Sequence, residues 1–283
     1  MFGAGIWASI IHRTYSSKMN LVCFIDNKSA GGQCMGYPIV SLDEFLKRDN
    51  GEEIIISSRL YHEEIREQIL ASGISEQRII NAGAATDRLS CIQYFDLPAL
   101  CEHAEENEIF VDAGAFDGRT TQMFMQWCSG SYRKIYVFEP DPSNLDMCRE
   151  NLKGLDREKV VYSSKGLWDR NATVAFNSLG KGSSSVQKDG RMQVEVTKLD
   201  SICQSDRVTF IKMDLEGAEC PALMGSRNTI ISCRPKLAIS VYHKPEDIWE
   251  IPKMILDMNP NYTFYLRHYS IAAPETVLYA IDG

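Results

Sequence analysis

The chain has 283 residues, of which 44% are hydrophobic and 24% are charged. This balance is that of an ordinary folded protein and excludes a mainly disordered one. The longest apolar runs have the length of strands, far below the ~20 residues that cross a bilayer, so we expect no membrane span. With 30 Lys and Arg against 38 Asp and Glu, the net charge is −8. Because a protein that grips phosphate backbones needs a positive face, we also expect no nucleic-acid partner.

Nine cysteines are present, and no two of them have Cys-x-x-Cys spacing. The five histidines do not cluster with them at the spacing of a zinc site. This pattern favours free thiols in a reducing compartment over disulfides or structural zinc. We therefore expect a cytoplasmic protein without a metal site.

The first region alternates short apolar runs with amphipathic segments, the pattern of a parallel sheet with crossover helices. Strands are predicted over 21–25, 53–57 and 78–81. A helix is predicted over 61–72, and Ser41 with Glu44 predicts a capping box at the start of a shorter helix. A small Rossmann-like α/β domain is thus expected over 1–85, followed by a helical linker over 86–107.

The second region, 108–283, continues the alternation over a longer stretch. The predicted strands cover 109–112, 134–139, 159–163, 173–176, 193–199, 208–214, 236–241, 262–267 and 276–281. A loop of small residues at 180–185 separates the fourth of these strands from the fifth. The pattern predicts a second, larger α/β domain.

Within this second domain, an apolar strand runs directly into a glycine turn at 110–118, and a helix follows. Glycine lets the backbone approach a ligand closely, and a helix N-terminus offers unpaired N–H groups to an anion. The next predicted strand ends in Glu139, 21 residues after Gly118. A carboxylate at that place can accept both hydroxyls of a ribose. The turn therefore predicts an adenosine-type ligand.

The chemistry of the turn narrows that ligand further. Its spacing, Asp-x-Gly-x-x-x-Gly, differs from the Gly-x-Gly-x-x-Gly of dinucleotide sites. Asp112 stands at the end of the strand, where we expect it to point into the ligand crevice. A cationic amino group suits such a carboxylate better than a pyrophosphate does. S-adenosylmethionine carries both a ribose and an amino group and fits these requirements.

At this point the second region resembles the FkbM family of S-adenosylmethionine-dependent methyltransferases, over about residues 94–281. The resemblance rests on an ordered set of motifs: VDAGAFDG (111–118), YVFEPDP (136–142), GLWD (166–169), GSSSV (182–186), LDS (199–201) and FIKMDLEGAE (210–219). It implies the class I methyltransferase fold, a Rossmann-like seven-stranded sheet whose last strand is antiparallel. It also implies methyl transfer to oxygen, commonly to a hydroxyl of a sugar or natural product.

The resemblance also implies roles for individual residues. Asp112, Gly114 and Gly118 would line the methionine part of the cofactor, and Glu139 would hold the ribose. Trp168 and Asp169 would flank the adenine, although Trp168 is equally well explained as a buried core residue. The predicted cofactor set is completed by Phe116, Pro140 and Asp214.

Methyl transfer to an alcohol requires a base for the hydroxyl proton, and two strand ends supply candidates. Asp214 and Glu216 follow one strand and could orient the hydroxyl, although acids there could also simply favour the dipole of the next helix. His243 follows the next strand and has a suitable intrinsic pKa for a base near neutral pH. His268 and Tyr269 end a further strand and are weaker candidates. The Asp-Pro-Pro-Tyr type of motif found in enzymes that methylate amino groups of bases is absent, which supports oxygen over nitrogen.

Residues that could contact the acceptor surround these groups. They are Ser184, Ser185, Glu219 and Tyr242. A small-molecule or glycan-linked hydroxyl compound is the expected partner, and a homodimer is a further expectation.

The N-terminus carries a second glycine turn. Gly3 and Gly5 match Gly-x-Gly-x-x-Ala, and Asp26 follows Gly5 by 21 residues at a predicted strand end. This spacing is that of a dinucleotide fingerprint. Only Met1 and Phe2 precede the turn, so the first, central strand is nearly absent. A nucleotide site and a scaffolding domain therefore both remain open.

Two other functions compete with the methyltransferase interpretation. One is a nicotinamide-dependent sugar-nucleotide oxidoreductase that uses the N-terminal turn, although no Tyr-x-x-x-Lys pair follows it. The other is a non-catalytic protein that binds a nucleotide sugar. The acids at both turns of the second domain favour an enzyme.

Overall fold

The structure is a computed structural model that describes residues 1–176, 192–203, 205–272 and 274–283. The chain divides into two compact units. The first comprises Met1–Ile92 with Tyr269–Pro274, and the second comprises Gln93–His268 with Glu275–Gly283. The division falls inside the linker predicted over 86–107, and most of that linker belongs to the second unit.

The first unit is built from short elements. In chain order they are α1 (Ile6–Tyr15), β1 (Phe24–Ile25), β2 (Gln33–Cys34), β3 (Tyr37–Val40), α2 (Leu42–Leu46), β4 (Ile54–Ile56), α3 (His62–Ala71), a 3₁₀ turn (Glu76–Arg78), β5 (Ile79–Asn81) and α4 (Ala82–Ser90). β3 lies between a parallel β1 and an antiparallel β2, while β4 pairs in parallel with β5. The predicted capping box is confirmed, since the Ser41 and Glu44 side chains each accept the other's backbone N–H. The strands predicted over 21–25 and 53–57 are shorter than expected.

The first strand of this unit is reduced to one bridging residue. Phe2 pairs in parallel with both Ile25 and Ile56, which places it between β1 and β4. Its N–H donates to the Ile55 carbonyl at 2.8 Å, and Gly3 N–H donates to the Ile25 carbonyl at 2.8 Å. Phe2 thus joins the two small sheets of this unit.

The second unit carries the longer elements. They are α5 (Pro98–Glu102), β6 (Glu108–Ala113), α6 (Arg119–Trp127), β7 (Tyr132–Phe138), α7 (Pro142–Asn151), β8 (Val160–Ser163), β9 (Gly166–Leu167), β10 (Ala172–Phe176), β11 (Met192–Thr197), α8 (Leu199–Ile202), β12 (Phe210–Met213), α9 (Glu219–Gly225), α10 (Arg227–Cys233), β13 (Lys236–Ser240), α11 (Asp247–Met258), β14 (Tyr262–His268) and β15 (Thr276–Asp282).

Seven of these strands form one sheet, in the order β8-β7-β6-β12-β13-β15-β14. Six run parallel, and β15, the last in the chain, is antiparallel to both of its neighbours. β6 is buried along its whole length, as a parallel strand covered on both faces must be. This is the class I methyltransferase arrangement that the sequence predicted. A second, small sheet has the order β10-β11-β9.

The strand order reverses between β6 and β12. The chain moves outward from β6 through β7 to β8 on one side, and from β12 to β13 on the other. In open α/β sheets, ligands bind outside the carboxyl ends of the strands at such a switch point. The turns after β6, β7, β12 and β13 are therefore the place to examine for a site.

No helix in the described part of the chain is long and apolar enough to span a bilayer.

Candidate active site

The glycine turn after β6 brings the chain against the end of β12. Gly114 has φ +79°, and a Cβ built on it would lie 1.9 Å from the Asp214 carbonyl oxygen. Gly118, also left-handed at φ +83°, is the N-cap of α6. Side chains at Gly114 would collide with β12, so the sequence uses glycine where two strand ends must meet. The predicted cofactor turn therefore lies directly beside the predicted catalytic turn.

Glu139, the residue after β7, holds this turn in place. Its side chain is 7% exposed, and its Oε2 accepts the N–H of Phe116 at 2.9 Å. Its Oε1 accepts the N–H of Asp141 at 3.0 Å. Burial raises the pKa of Glu139, while the two backbone donors act in the opposite direction. Oε1 also accepts from Nδ2 of Asn144 at 3.4 Å, so the second lone pair of Oε2 is the one left to accept a ribose hydroxyl.

Two neighbours of Glu139 complete this part of the site. Phe116 has φ +52° and a largely exposed side chain at the mouth of the turn. Pro140 is half-buried directly after Glu139. Both positions agree with a contact surface for a ligand, and their cofactor roles remain predictions.

Asp112 does not point into the ligand crevice, and that expectation was wrong. It is fully buried, and its Oδ1 lies 3.1 Å from Nζ of Lys212, which is also buried. Its Oδ2 accepts the Thr121 hydroxyl at 2.7 Å. The parallel register of β6 and β12 places Asp112 beside Lys212. The cation that the sequence suggested for Asp112 thus comes from the chain itself.

Lys212 ties this buried pair to the glycine turn. Its Nζ donates to the Gly114 carbonyl at 2.6 Å and lies 3.3 Å from the Ala113 carbonyl. The negative groups around it, Asp112 first among them, outweigh burial and raise the pKa of Lys212. The ion pair therefore acts beneath the turn, as a support for its backbone.

Asp214 collects donors from three directions. The Tyr94 hydroxyl donates to its Oδ2 at 2.9 Å, and the Tyr242 hydroxyl donates to its Oδ1 at 3.3 Å. Nε2 of His243 lies 3.5 Å from the same Oδ1. Burial raises the pKa of Tyr242, so this phenol is a neutral donor. The side chain of Asp214 remains 24% exposed, which leaves it accessible to a ligand.

His243 lies between Asp214 and a second, fully buried carboxylate. Its Nδ1 is 2.9 Å from Oε1 of Glu219, which also accepts the N–H of Leu215 at 2.7 Å. Its Nε2 is 3.8 Å from the more exposed Glu216. Burial alone would lower the pKa of His243, but Glu219, Asp214 and Glu216 outweigh it and raise that pKa to about 9. At neutral pH the imidazole is therefore mainly protonated.

The turn that carries Glu216 has an unusual backbone. Glu216 has φ +54° and Gly217 has φ +93°. The Lys244 ammonium donates to the Gly217 carbonyl and so links this turn to the segment after β13. The two predicted catalytic turns are thus joined to each other as well as to the glycine turn.

The acid–imidazole cluster also has the spacing of a small metal site. One ligand atom from each of Asp214, Glu219 and His243 lies within 4.8 Å of the others. A proton on His243 already balances part of this negative charge. Glu219 Oε2 has no hydrogen-bond partner in the described residues. Because this oxygen could bind a metal ion, the reaction should also be measured after a chelator has removed metal ions. The absence of a metal remains a prediction.

Trp168 is held by structural contacts. The backbone N–H of Trp168 donates to the Thr197 carbonyl at 2.9 Å. A Cβ on Gly225 would lie 1.8 Å from the carbonyl oxygen of Trp168. Asp169 pairs with Arg170 at 3.2 Å. These contacts place both residues between β11 and the end of α9, and an adenine contact for either one remains a prediction.

The other candidates of the second region are not brought into this cluster. Ser184 and Ser185 lie outside the described residues. His268 is exposed, with Nδ1 2.9 Å from the Thr276 hydroxyl oxygen. Tyr269 belongs to the first unit.

The N-terminal turn forms as its spacing predicts. Asp26 follows β1, and its Oδ2 accepts the N–H of Ala4 at 3.4 Å. Its Oδ1 accepts two N–H groups of its own loop, from Lys28 and Ser29. A Cβ on Gly3 would lie 2.8 Å from the Ser57 hydroxyl. A cavity of about 750 Å³ in this unit, lined mainly by apolar side chains, contains neither glycine of the turn nor Asp26.

Sequence reasoning missed two residues of the site. Tyr94 was assigned to a linker, and Lys212 was counted only as part of a strand. The FIKMDLEG motif contains Lys212, and a lysine inside a buried strand is a signal that a buried acid faces it. Nothing in the local sequence around Tyr94 points to Asp214, 120 residues away.

Comparisons with known proteins agree with this geometry. The model of the methyltransferase FkbM domain matches residues 112–266, and that of the C2185-like N-terminal domain matches residues 1–80. A curated relative, the 2-O-methyltransferase NoeI of Sinorhizobium fredii (strain NBRC 101917 / NGR234), is 27% identical over 181 residues. The match covers 54% of this chain and 72% of the relative.

A solved structure shows the same fold over nearly the whole chain. The crystal structure of methyltransferase FkbM from Methylobacillus flagellatus KT has a TM-score of 0.60 and 20% identity, and the match covers 99% of this chain and 88% of that one. The FkbM domain model spans more than half of the residues and includes the glycine turn, Glu139 and the acid–imidazole cluster. The chain therefore belongs to the FkbM family of methyltransferases.

Proposed function

We propose that this chain is an S-adenosylmethionine-dependent O-methyltransferase that acts on a hydroxyl of a sugar, glycan or natural product. The observation that carries the proposal is the contact between the glycine turn and Asp214. Because Gly114 approaches the Asp214 carbonyl so closely, a cofactor turn and an acid–imidazole cluster share one edge of the sheet. The curated relative is named a 2-O-methyltransferase, which supports oxygen as the atom that is methylated.

The residues at the turn fit the cofactor. Glu139 is fixed by two backbone donors and by the Asn144 amide, and its Oε2 keeps a lone pair for a ribose hydroxyl. Gly114 and Gly118 keep side chains away from the surface above the turn. S-adenosylmethionine supplies an activated methyl group on a sulfonium when it is bound. Asp112, buried and paired with Lys212 and Thr121, supports the turn from beneath in this proposal.

His243 is the base in this proposal, and it acts in its deprotonated form, which is the minor form at neutral pH because its pKa is raised to about 9. Its Nε2 is itself buried and faces Asp214 and the exposed Glu216, so an acceptor hydroxyl would have to enter beside these two acids to reach it. Glu219 faces Nδ1, and so stabilises the positive ring that forms when Nε2 takes the hydroxyl proton. A positioned base of this kind contributes typically about 10²–10⁴ in rate.

Asp214 and Glu216 orient the acceptor. Asp214 is held from behind by two phenols, so its remaining lone pairs face the opening. A carboxylate fixed in this way can accept one acceptor hydroxyl while a neighbouring hydroxyl faces His243. Two adjacent hydroxyls on a sugar ring provide that geometry.

The test is methyl transfer from labelled S-adenosylmethionine to a panel of glycosides with free hydroxyls, beside matched amino sugars. We expect label on oxygen, with product position established by mass spectrometry and NMR. Calorimetric titration with S-adenosylhomocysteine, NAD⁺ and NADH runs in parallel. Each reaction is repeated after treatment with EDTA, which should leave the rate unchanged.

Two results would overturn the proposal. Binding of a nicotinamide cofactor without binding of S-adenosylhomocysteine would move the chemistry to the N-terminal turn. Label found on nitrogen in the amino sugars alone would exclude the hydroxyl acceptor.

A further inference from the structure

Tyr94 lies in the segment before the first strand of the large sheet, and its backbone conformation is unusual. It has φ +73° and is 4% exposed. A bulky residue rarely adopts the left-handed region, and such strain persists only where the surroundings impose it. The contacts of this side chain show what holds it there.

The Tyr94 hydroxyl lies where two strand ends meet. It donates to Oδ2 of Asp214 at 2.9 Å and is 3.3 Å from the hydroxyl oxygen of Ser240, the last residue of β13. The face of its ring lies 5.5 Å from Nζ of Lys212, the ammonium that supports the glycine turn. One side chain thus contacts both the orienting acid and the ion pair beneath the cofactor turn.

The neighbouring residue anchors the segment. Gln93 is buried, and its Nε2 donates to Oε2 of Glu275 at 2.8 Å. This bond ties the segment to the residue directly before β15. The Gln93–Glu275 bond and the burial of Tyr94 therefore fix the place at which its hydroxyl meets Asp214.

We propose that Tyr94 is a positioning residue for methyl transfer, which holds the Asp214 carboxylate in the orientation that receives the acceptor beside His243. This inference rests on the proposed function, since it assigns Tyr94 a role in that reaction. Tyr94 does not touch the reacting atoms and acts through Asp214.

The test replaces the hydroxyl alone. In Tyr94→Phe we expect kcat to fall about tenfold, the rate equivalent of one hydrogen bond to a charged group. The dissociation constant for S-adenosylhomocysteine should stay within about twofold, because Glu139 and the glycine turn remain. The matched control is Tyr262→Phe, which removes a buried hydroxyl that donates to the Pro235 carbonyl at 2.8 Å. That variant loses a structural bond of the same kind and should keep the wild-type kcat.

A double-mutant cycle shows whether the effect passes through Asp214. If it does, Tyr94→Phe should change kcat by less than about twofold in an Asp214→Asn background. Independent effects that multiply would overturn the inference, as would an unchanged kcat in Tyr94→Phe alone.

A crystal structure of Tyr94→Phe separates this inference from the proposed function. We expect the Asp214 carboxylate to rotate away from its wild-type position while the backbone stays in place. An unmoved carboxylate would overturn the inference even if the wild-type enzyme methylates hydroxyls. Failure of the wild-type enzyme to methylate any hydroxyl would instead refute the proposed function and the role assigned to Tyr94, whatever the crystal shows.

Discussion

Two glycine turns in this chain are built alike and are surrounded differently. In each, a strand leads through a left-handed glycine into a helix, and the acid after the next strand accepts an N–H of the turn. Asp26 does this at Ala4 and Glu139 does it at Phe116. Around the first turn, the nearest strand end supplies the hydroxyl of Ser57. Around the second, the neighbouring strand ends supply carboxylates, an imidazole and the phenol of Tyr242, and the segment before β6 adds the phenol of Tyr94.

The difference shows that the spacing of glycines and acid in the sequence predicts the turn. The side chains that surround the turn determine which chemistry it can support. A glycine turn with an acid can either bind a ligand or serve only as a structural connection between a strand and a helix. Asp26 uses one carboxylate oxygen to accept from Lys28 and Ser29 in its own loop, and Glu139 does the same with Asp141 and Asn144, so the two acids alone do not distinguish the turns. The acid–imidazole cluster lies beside the second turn, and for this reason the proposed function places catalysis in the larger unit.

The largest expected effect concerns two half-buried histidines, each of which has Nδ1 near a glutamate. His243→Ala should lower kcat about a thousandfold, because it removes the proposed base, with little change in cofactor affinity. The matched control is His62→Ala in the first unit, where Nδ1 lies 3.1 Å from Glu63. Steady-state kinetics with saturating cofactor measures both. A wild-type rate in His243→Ala, or an equal loss in His62→Ala, would refute the assignment.

The side chains that support the two turns, Lys212 and Ser57, should contribute differently to the free energy of unfolding. Lys212→Met leaves Asp112 buried without its partner and should destabilise the second unit by about 3–5 kcal/mol. Ser57→Ala removes a hydroxyl that donates to Phe2 and Gly3 carbonyls and should cost the first unit about 1 kcal/mol. Hydrogen exchange resolved by segment measures both changes. Equal costs would mean that the buried pair adds nothing beyond an ordinary hydrogen bond.

The acids of the two turns should differ in ligand binding. Glu139→Ala should weaken S-adenosylhomocysteine binding about a hundredfold, because a carboxylate that accepts ribose hydroxyls makes charged hydrogen bonds. Asp26→Ala should leave that affinity unchanged. Calorimetric titration of the two variants gives the comparison directly, and a loss confined to Asp26→Ala would reverse the roles of the two turns.

The smallest effect is a shift in the pH dependence of the reaction. Three carboxylates lie around His243: Glu219 on α9, and Asp214 and Glu216 in the turn after β12. The ring of Tyr242 packs against the imidazole, and Asp247 on α11 is also near. Glu219, Asp214 and Glu216 outweigh burial and raise the pKa of His243 to about 9. Since the base must be deprotonated, kcat/KM should rise with pH through about 9.

Removing one charge should move this rise in a known direction. Glu219→Gln lowers the pKa of His243, so the ascending limb should shift to lower pH by about one unit. Glu216→Gln, at the longer distance of 3.8 Å, should shift it less. A profile that is flat from pH 6 to pH 9 in the wild-type enzyme would exclude His243 as the base.

Local sequence patterns predicted much of the fold and part of the site. The capping box at Ser41, the glycine turns and the position of Glu139 were all readable, because each depends on residues close in the chain or on one βα unit. The location of Asp214 and His243 at adjacent strand ends also followed, since consecutive parallel strands place their carboxyl ends at one edge.

The sequence by itself determined the fold class, both glycine turns and the acid after each following strand, since turn conformation and strand periodicity are local properties. Only the tertiary structure decided what those groups do. The register of β6 against β12 turned Asp112 from a ligand contact into the partner of Lys212. Packing across 120 residues brought Tyr94 to Asp214. Such pairings depend on which strands become neighbours and in which register, and a single chain's local pattern carries no record of that choice.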